Sequence, residues 1–288
     1  MAVNKQTITI TFGEQVENSY RDKKIGKIRD NGYTVRELRD IQAKFNNDGY
    51  IAELIELNKL LPDDAAAEEA AVLLIRNGIH AFMGDNKDDL MDEQVNLEWN
   101  KKWLWYGSVK NRSARYALVY AEHDIEPDYE HGISRVISFN RLPLLTKVRE
   151  GLPKYFGDKA ANLLAEGNNY YDVNKCYIGY HGDFERKIVL AIRLGSDLPL
   201  RYMWYLGGEA KGDKCELVLS NGDMYLMSEK ATGWDSRKRK IYVLKHSAGL
   251  EKNIKIKKKG KAVRTSMYNV DFDNKKIATM VSRYGSAL

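Results

Sequence analysis

Hydrophobic positions in the first third of the chain recur at helical spacing. Thr34 and Glu37 have the spacing of a capping box, and apolar residues follow at three- and four-residue steps as far as Phe45. A second apolar stripe occupies residues 51–60, and an alanine-rich stretch follows at 65–76. Each segment ends near a proline or a glycine, so the pattern predicts three helices connected by short loops.

From about residue 103 the pattern changes to short runs of β-branched and aromatic residues with turn residues between them. Many strand-length segments at regular spacing indicate a sandwich or barrel, and further helices are predicted at 144–150 and 158–166. We therefore expect a helical N-terminal region at 1–100 and a β domain at 101–288.

Composition narrows the class of protein. Apolar residues make up 43% and charged residues 30% of the chain, which is ordinary for a globular protein and unlike a disordered one. The sequence has no run of about 18 apolar residues, no signal-peptide pattern at its beginning and two cysteines. We expect a soluble intracellular protein of the cytoplasm or nucleus that is not secreted and has no membrane partner. A net charge of +6 permits a polyanionic partner without requiring one.

The candidate chemistry lies at three histidine and aspartate positions. His181 and Asp183 are two residues apart, so on a strand both side chains leave the same face. His246, on a later segment, could complete a site of two histidines and one carboxylate, a ligand set that suits Fe(II) and leaves positions open for cosubstrate and oxygen. Taken alone, a His-x-Asp pattern often occurs by chance, and a single histidine is more often a hydrogen-bonded structural residue than a ligand.

Four blocks in this part of the chain resemble the core signature of the AlkB-like Fe(II)/2-oxoglutarate dioxygenases. They are a Leu-Pro helix, an Asn-x-Tyr motif twelve residues before the first histidine, the His-x-Asp itself, and a Gly-Asp to Met-Ser strand that leads toward the distal histidine. In order they occupy 142–145, 169–171, 178–183 and 222–246. The resemblance covers about residues 140–270. It implies an α+β fold whose catalytic core is a double-stranded β-helix, a jelly roll of the cupin type, with flanking helices and the helical N-terminal subdomain.

The resemblance also implies a set of site residues. His181, Asp183 and His246 would bind Fe(II) and form the catalytic centre. Asn169 and Tyr171 would contact 2-oxoglutarate, as the corresponding residues of the family do.

The distal carboxylate of 2-oxoglutarate needs a cation, which the family places on a strand after the second histidine. Arg264 is the expected residue, because a planar guanidinium matches a carboxylate. Many relatives have a second arginine six positions later, where this chain has Val270. Lys255 or Arg239 could supply the charge instead.

Substrate contacts are expected on both sides of the metal ligands. Glu185 matches a place where the family often has an acidic residue that hydrogen-bonds the target base, and it could equally be a charge partner of Arg186 or Lys187. In the loop before His246, Arg237 and Arg239 are expected to contact phosphates, and Trp234 to line or cap the pocket. Aromatic and basic residues at 103–116 could stack bases, or could belong to a strand packed in the core.

The expected activity is therefore hydroxylation of a nucleic acid base, in DNA or RNA, with consumption of O2 and release of succinate and CO2. A hydroxylated N-methyl carbon would be lost as formaldehyde, which is the chemistry of a DNA repair demethylase. Two alternatives remain. One is an oxygenase of the same superfamily that acts on a protein side chain or a small molecule, and the other is a non-catalytic nucleic-acid-binding module on the same fold.

Overall fold

The computed structural model describes residues 5–18, 24–254 and 267–269, the last of these by backbone alone. Strands predominate over helices in these residues. In the described part of the chain, no helix is both long and apolar enough to cross a membrane.

The strands follow one another throughout the chain. In order they are β1 (Thr7–Gly13), β2 (Gln15–Glu17), β3 (Lys24–Gly26), β4 (Ile51–Glu56), β5 (Ala71–Arg76), β6 (Lys102–Trp105), β7 (Ser108–Asn111), β8 (Tyr116–Ala121), β9 (Val136–Ser138), β10 (Leu164–Tyr170), β11 (Tyr177–His181), β12 (Leu190–Gly195), β13 (Leu198–Leu206), β14 (Glu209–Leu219), β15 (Met224–Met227), β16 (Val243–Gly249) and β17 (Met267–Asn269). The α-helices are α1 (Val35–Asn47), α2 (His80–Met83), α3 (Lys87–Val95), α4 (Pro143–Phe156) and α5 (Glu229–Thr232).

Two large sheets organise these strands. The larger sheet has the order β4-β5-β15-β12-β1-β10-β8-β9, and the smaller has the order β11-β16-β13-β14-β17. Neighbouring strands are antiparallel except for the parallel pairs β8–β9 and β14–β17. The pairs β2–β3 and β6–β7 form separate two-stranded hairpins.

The outer face of the larger sheet is covered by helices. Ile8, Ile10 and Phe12 leave this face of β1 and are fully buried, together with the apolar stripe of α1 that ends at Phe45. The predicted capping box begins that helix, because the Thr34 hydroxyl accepts a hydrogen bond from the backbone N–H of Glu37 and the Glu37 carboxylate accepts one from the backbone N–H of Thr34. The α1 prediction is confirmed, and so is the helix expected at 144–150, which lies within α4.

The inner face of the larger sheet packs against the smaller sheet. Ala191 and Tyr225 from the larger sheet share a buried cluster with Leu200, Tyr202 and Trp204 from β13. This mixed α/β arrangement, made mostly of strands, is compatible with a β-sandwich or jelly roll.

Three of the predicted helices are wrong. Residues 51–60 form β4 and one 3-10 turn, the alanine-rich stretch at 65–76 has no helix and contains β5, and 158–166 contains a 3-10 turn followed by the start of β10. The cause is long-range pairing: β5 lies between β4 and β15 with both faces buried, which overrides the helix propensity of its alanines and leucines.

The N-terminal region is consequently not a helical subdomain in the sense expected. Before residue 100, β1 pairs with β10 and β12, and β5 pairs with β15, so these early strands belong to the same sheet as strands that follow residue 100. The division of the chain near residue 100 stays a prediction.

Candidate metal centre

Two neighbouring strands of the smaller sheet bring the candidate ligands together. His181 is the last residue of β11 and stands directly opposite His246 on β16, so the centroids of the two imidazole rings are 4.4 Å apart. Asp183 follows after a glycine, and its backbone N–H donates to the carbonyl of Thr232 at 2.9 Å. Gly182 is required at this bend, because a Cβ there would collide with the carbonyl oxygen of Gly233.

The three side chains converge on one point. Oδ1 of Asp183 is 3.4 Å from Nε2 of His181 and 3.6 Å from Nε2 of His246. One ligand atom from each residue lies within 4.8 Å of the other two. Metal–ligand bonds of about 2.1 Å at right angles set adjacent ligand atoms about 3 Å apart, so small adjustments would bring all three onto a common ion. This buried group could bind a metal ion.

The protonation states also suit metal binding. Nδ1 of His181 is 2.8 Å from the carbonyl oxygen of Gly179, so Nδ1–H donates there and Nε2 is left as the ligand atom. Burial, together with the charge of His246, lowers the pKa of His181 to about 4 and keeps this imidazole neutral. Burial opposes ionisation of Asp183, but the neighbouring His246 outweighs it and holds the pKa of this carboxyl well below its usual range. A neutral imidazole and an ionised carboxylate are the forms that ligate.

The three side chains line a cavity of about 160 Å³ between the two sheets. Its opposite wall belongs to the larger sheet and includes Thr9, Tyr170 and Arg193. A second cavity of about 440 Å³ adjoins it and shares four lining residues with it, Glu17, Arg115, Glu166 and Asn168. The metal-ligand group therefore has open space on one side, and a larger chamber lies next to that space.

The residues expected to contact 2-oxoglutarate, Asn169 at the end of β10 and Tyr171 just after it, do not line the metal cavity. Asn169 accepts a hydrogen bond from the side chain of Gln6 at 3.0 Å, and the hydroxyl of Tyr171 donates to the carbonyl of Ser113 at 2.7 Å. Neither lines the metal cavity, whereas Asn168 and Tyr170 do. Asn168 and Tyr170, one residue earlier, also fit an Asn-x-Tyr pattern, and the alternation of side chains along β10 places them at the cavity.

The expected carboxylate anchor is not found among the described residues. Arg264 and its alternative Lys255 lie outside the residues that the structure describes. Arg239 is exposed, donates to the carbonyl of Gly207 at 2.6 Å and lines neither of the two adjoining cavities.

The predicted substrate residues have mixed outcomes. Glu185 is buried at the metal cavity, where its Oε1 accepts hydrogen bonds from Arg186 at 2.8 and 3.1 Å, so the charge-partner interpretation is confirmed. Burial raises the pKa of Glu185 to about 7. The guanidinium of Arg237 lies 3.3 Å from the ring centre of Phe184 and lines the larger cavity. Trp234 lines neither cavity, and the ammonium groups of two lysines approach its ring.

The aromatic residues near position 103 are not in a core strand. They form the β6–β7 hairpin, in which Trp103 stacks on Trp105 at 4.5 Å and Arg112 lies 4.9 Å from the Trp103 ring centre. Trp103 and Arg112 line the larger cavity, and Tyr106 at the turn is 74% exposed. The hairpin therefore forms one wall of the chamber beside the metal centre.

Several polar cavity residues are missing from the sequence-based set, among them Thr9, Asn168, Tyr170 and Arg193. The alternation of threonine and isoleucine at 7–11 indicates a strand with one polar face, and that signal could have drawn attention to Thr9. Arg193 stands in an apolar run with no local sign of its surroundings.

Comparison with known proteins identifies one relative and no family model. A protein of Acanthamoeba polyphaga mimivirus, described as "Uncharacterized protein R156", is 40% identical to this chain over 257 residues. The matched region covers 87% of this chain and 98% of the relative. No family model matches the chain.

Proposed function

The chain belongs to the same family as that mimiviral protein, and we propose that it is an Fe(II)- and 2-oxoglutarate-dependent dioxygenase of the AlkB-like type. The observation that carries this proposal is the convergence of His181, Asp183 and His246 on one point at the wall of a cavity. Two imidazoles and one carboxylate on a single side of an ion leave the remaining positions open, which is the ligand arrangement of non-haem Fe(II) oxygenases.

The donor set fits such an ion on chemical grounds. Imidazole nitrogen suits iron, whereas sites for Mg²⁺ or Ca²⁺ are built from oxygen ligands, and closed structural zinc sites use four protein ligands. When bound together, Fe(II) and 2-oxoglutarate supply oxidative chemistry: O2 is consumed, 2-oxoglutarate loses CO2 to become succinate, and one oxygen atom enters a C–H bond of the substrate.

The protein's own residues would prepare the site for that chemistry. The carbonyl of Gly179 orients His181, and pairing of β16 with both β11 and β13 holds His246 in place. The side chains of His246 and Asp183 are 8% and 12% exposed, so bulk water has little access to these two ligands, whereas His181 is 34% exposed and lies on the open side of the site. A dry, rigid site favours productive oxidation of the substrate over side reactions.

We also propose that the two sheets form a double-stranded β-helix. Four strands of the larger sheet, β10, β1, β12 and β15, lie opposite four strands of the smaller sheet, β11, β16, β13 and β14. The ligands leave β11 and β16, which are neighbours in the smaller sheet. This arrangement supports the proposed fold.

The proposed substrate is a nucleic acid base. The chamber of about 440 Å³ beside the metal centre is lined by both aromatic rings and arginines, including Trp103, Phe184, Arg112 and Arg237. Aromatic faces can stack a base while guanidinium groups meet phosphates. A base that reaches the chamber must come from a single strand or be flipped out of a duplex.

The enzyme proposal is tested by succinate release in the presence of Fe(II), 2-oxoglutarate and O2. Methylated oligonucleotides should stimulate release, whereas unmethylated oligonucleotides and methylated peptides should not. His181→Ala should abolish turnover, and His123→Ala, at an exposed histidine outside the site, should not change it. Stimulation by peptides instead would transfer the proposal to a protein substrate. Metal-independent binding of oligonucleotides without any turnover would support a non-catalytic module.

The nucleic acid proposal is tested separately by a comparison of two arginine variants. Arg237→Gln should weaken binding of a short single-stranded oligonucleotide and reduce the slope of affinity against salt by about one. Arg239→Gln is the matched control, because Arg239 lies two residues away but lines neither cavity. Equal losses from the two variants would indicate a general surface charge effect and no role for the chamber.

A further inference from the structure

The larger sheet forms one wall of the metal cavity, and three neighbouring strands place a polar side chain there. Thr9 of β1 stands directly between Asn168 of β10 and Arg193 of β12 in the strand register. All three line the cavity. Further along the same inner face, Ala191 and Tyr225 join the apolar cluster between the sheets. A row of three polar side chains thus replaces the apolar packing where the sheet faces the metal ligands.

Arg193 is the charged member of this row, so its burial without partners costs the most. Its side chain is 1% exposed, and among the described residues Nε and Nη1 have no hydrogen-bond partner. The hydroxyl of Thr9 is also unpaired there, as is that of Ser247 on the opposite wall. Buried charges and hydroxyls are costly unless they are paired.

Another buried arginine shows how the same fold satisfies such a group. Arg201 on β13 is 3% exposed, donates from Nε to Glu216 at 2.6 Å and also donates to the carbonyl of Gly249. Arg193 has no carboxylate within ion-pair distance in the described part of the chain. Its guanidinium is therefore positioned for an anion that enters the cavity.

We propose that Arg193, with Thr9 beside it, binds the terminal carboxylate of a dicarboxylic 2-oxo acid whose keto-acid end lies at the metal. This inference rests on the proposed function and assigns a residue to its cosubstrate. A guanidinium matches a carboxylate with two parallel hydrogen bonds, and the threonine hydroxyl can donate a third. A cavity of about 160 Å³ is of the size that accommodates a small organic molecule.

The proposed anchor lies in a different place from the one the resemblance implies, Arg264, which is outside the described residues. The resemblance places the cation on a strand that follows the second histidine. In this protein, β1 from the N-terminal end of the chain lies next to β12 in the larger sheet, and the described strand after β16 is β17, which pairs with β14 in the other sheet. The N-terminal strand therefore completes the cosubstrate pocket.

The test compares two acids that differ in one carboxylate. Protein loaded with Mn²⁺, which binds without turnover, is titrated by calorimetry with 2-oxoglutarate and with 2-oxopentanoate, in which a methyl group replaces the terminal carboxylate. The wild type should prefer 2-oxoglutarate by about 10- to 100-fold, the usual effect of a charged hydrogen-bonded pair. Arg193→Met should reduce this preference to about one while leaving the affinity for Mn²⁺ unchanged. Arg193→Lys, which keeps the charge but loses the fork, should retain an intermediate preference.

Stability measurements supply a readout that a structural arginine would not share. Apo Arg193→Met should melt at or above the wild-type temperature, because it removes a buried unpaired charge, whereas Arg201→Met should melt lower and keep the full preference for 2-oxoglutarate. If Arg193→Met does not fold, Arg193→Lys decides the question.

Two kinds of failure are distinguishable. A wild type that binds Mn²⁺ but neither acid contradicts the proposed function. A wild type that discriminates between the acids, with an Arg193→Met variant that discriminates equally well, leaves the function standing and overturns the role of Arg193.

Discussion

The two faces of β1 show how one strand serves two purposes. On the outer face, Ile8, Ile10 and Phe12 are fully buried in the apolar cluster that the helices cover. On the inner face, Thr9 is 4% exposed, yet its hydroxyl has no partner in the described residues. The outer face is complete without a ligand, whereas the inner face is not. A strand that stabilises the fold through its apolar face can thus carry buried, unpaired polar groups on the other face, although these lower the stability of the fold.

Polarity alone does not mark the ligand site. Arg186 is also buried on the inner side, but its guanidinium pairs with Glu166 at 2.7 Å and with Glu185 at 2.8 Å. The contrast with Arg193 is in pairing and not in burial. Arg186 leaves only Nη1 unpaired and has two carboxylate partners, which favours a structural role, whereas Arg193 has no carboxylate partner in the described residues and lines the cavity, which favours a ligand there.

The largest expected effect comes from removing a metal ligand. Loss of a residue that hydrogen-bonds a metal ligand typically costs roughly 10- to 100-fold in metal affinity. Asp183→Asn should cost more, because it replaces the one negatively charged ligand by a neutral amide. Calorimetric titration with Mn²⁺ measures it. The matched control is Asp223→Asn, whose carboxylate accepts hydrogen bonds from the backbone of Asn77 and Ser220. That variant should lose stability and keep its metal affinity, and the reverse pattern would contradict the assignment of the two aspartates.

The next largest effect is expected on the outer face of β1. Phe12→Ala should lower the free energy of unfolding by about 3–5 kcal/mol, since it leaves a cavity in a core that is fully buried. Urea unfolding of the apo protein measures the change, and the metal affinity of the folded fraction should be unchanged. A loss below about 1 kcal/mol would mean that the outer face contributes less packing than its burial indicates.

The sequence predicted local features well. Helix α1 depends on a capping box and a stripe that ends at Phe45, all within fourteen residues, and it was predicted correctly. The His-x-Asp pair is equally local, because the alternation of a strand determines that His181 and Asp183 leave one face. The convergence of His246 on this pair was expected from the resemblance and agrees with the register of β11 and β16.

Long-range features were not predictable from periodicity. β5 is buried on both faces, so its apolar run carries no strand alternation, and its pairing with β15 depends on residues about 150 positions later. Asn169 was predicted from its place in an Asn-x-Tyr motif, which Asn168 also fits, and the pairing of β10 with β1 decides which of them faces the cavity. The role of Arg193 depends on a strand from the other end of the chain, which no local pattern reveals.

A smaller effect tests the inner face of β1. Thr9→Val keeps the shape of the side chain and removes an unpaired hydroxyl, so it should raise the stability of the apo protein by up to about 1 kcal/mol. The same change should weaken binding of 2-oxoglutarate a few-fold. Thr232→Val is the control, because its buried hydroxyl donates to Glu229 and accepts from the backbone of Trp234, and its loss should destabilise. Urea unfolding compares the two variants. If both substitutions change the free energy of unfolding in the same direction, the distinction between paired and unpaired hydroxyls is contradicted.

The smallest effect concerns a paired group on the outer side, at the start of α1. Burial of Glu37 favours its neutral form, but hydrogen bonds from Lys159 and Thr34 outweigh this and lower the pKa of the carboxyl in the folded protein. A carboxyl with a lowered pKa stabilises the fold above its unfolded pKa of about 4.5, and this stabilisation is lost as the pH falls through the folded value. Glu37→Gln should therefore cost about 0.5 kcal/mol at pH 7, a small amount because solvent screens this half-exposed pair, and almost nothing at pH 3. Unfolding curves at the two pH values measure the difference. If the loss of stability persists at pH 3, the effect comes from the hydrogen-bond geometry of the capping box and not from the charge of Glu37. Ionised groups at this position would then contribute nothing to the stability of the outer face.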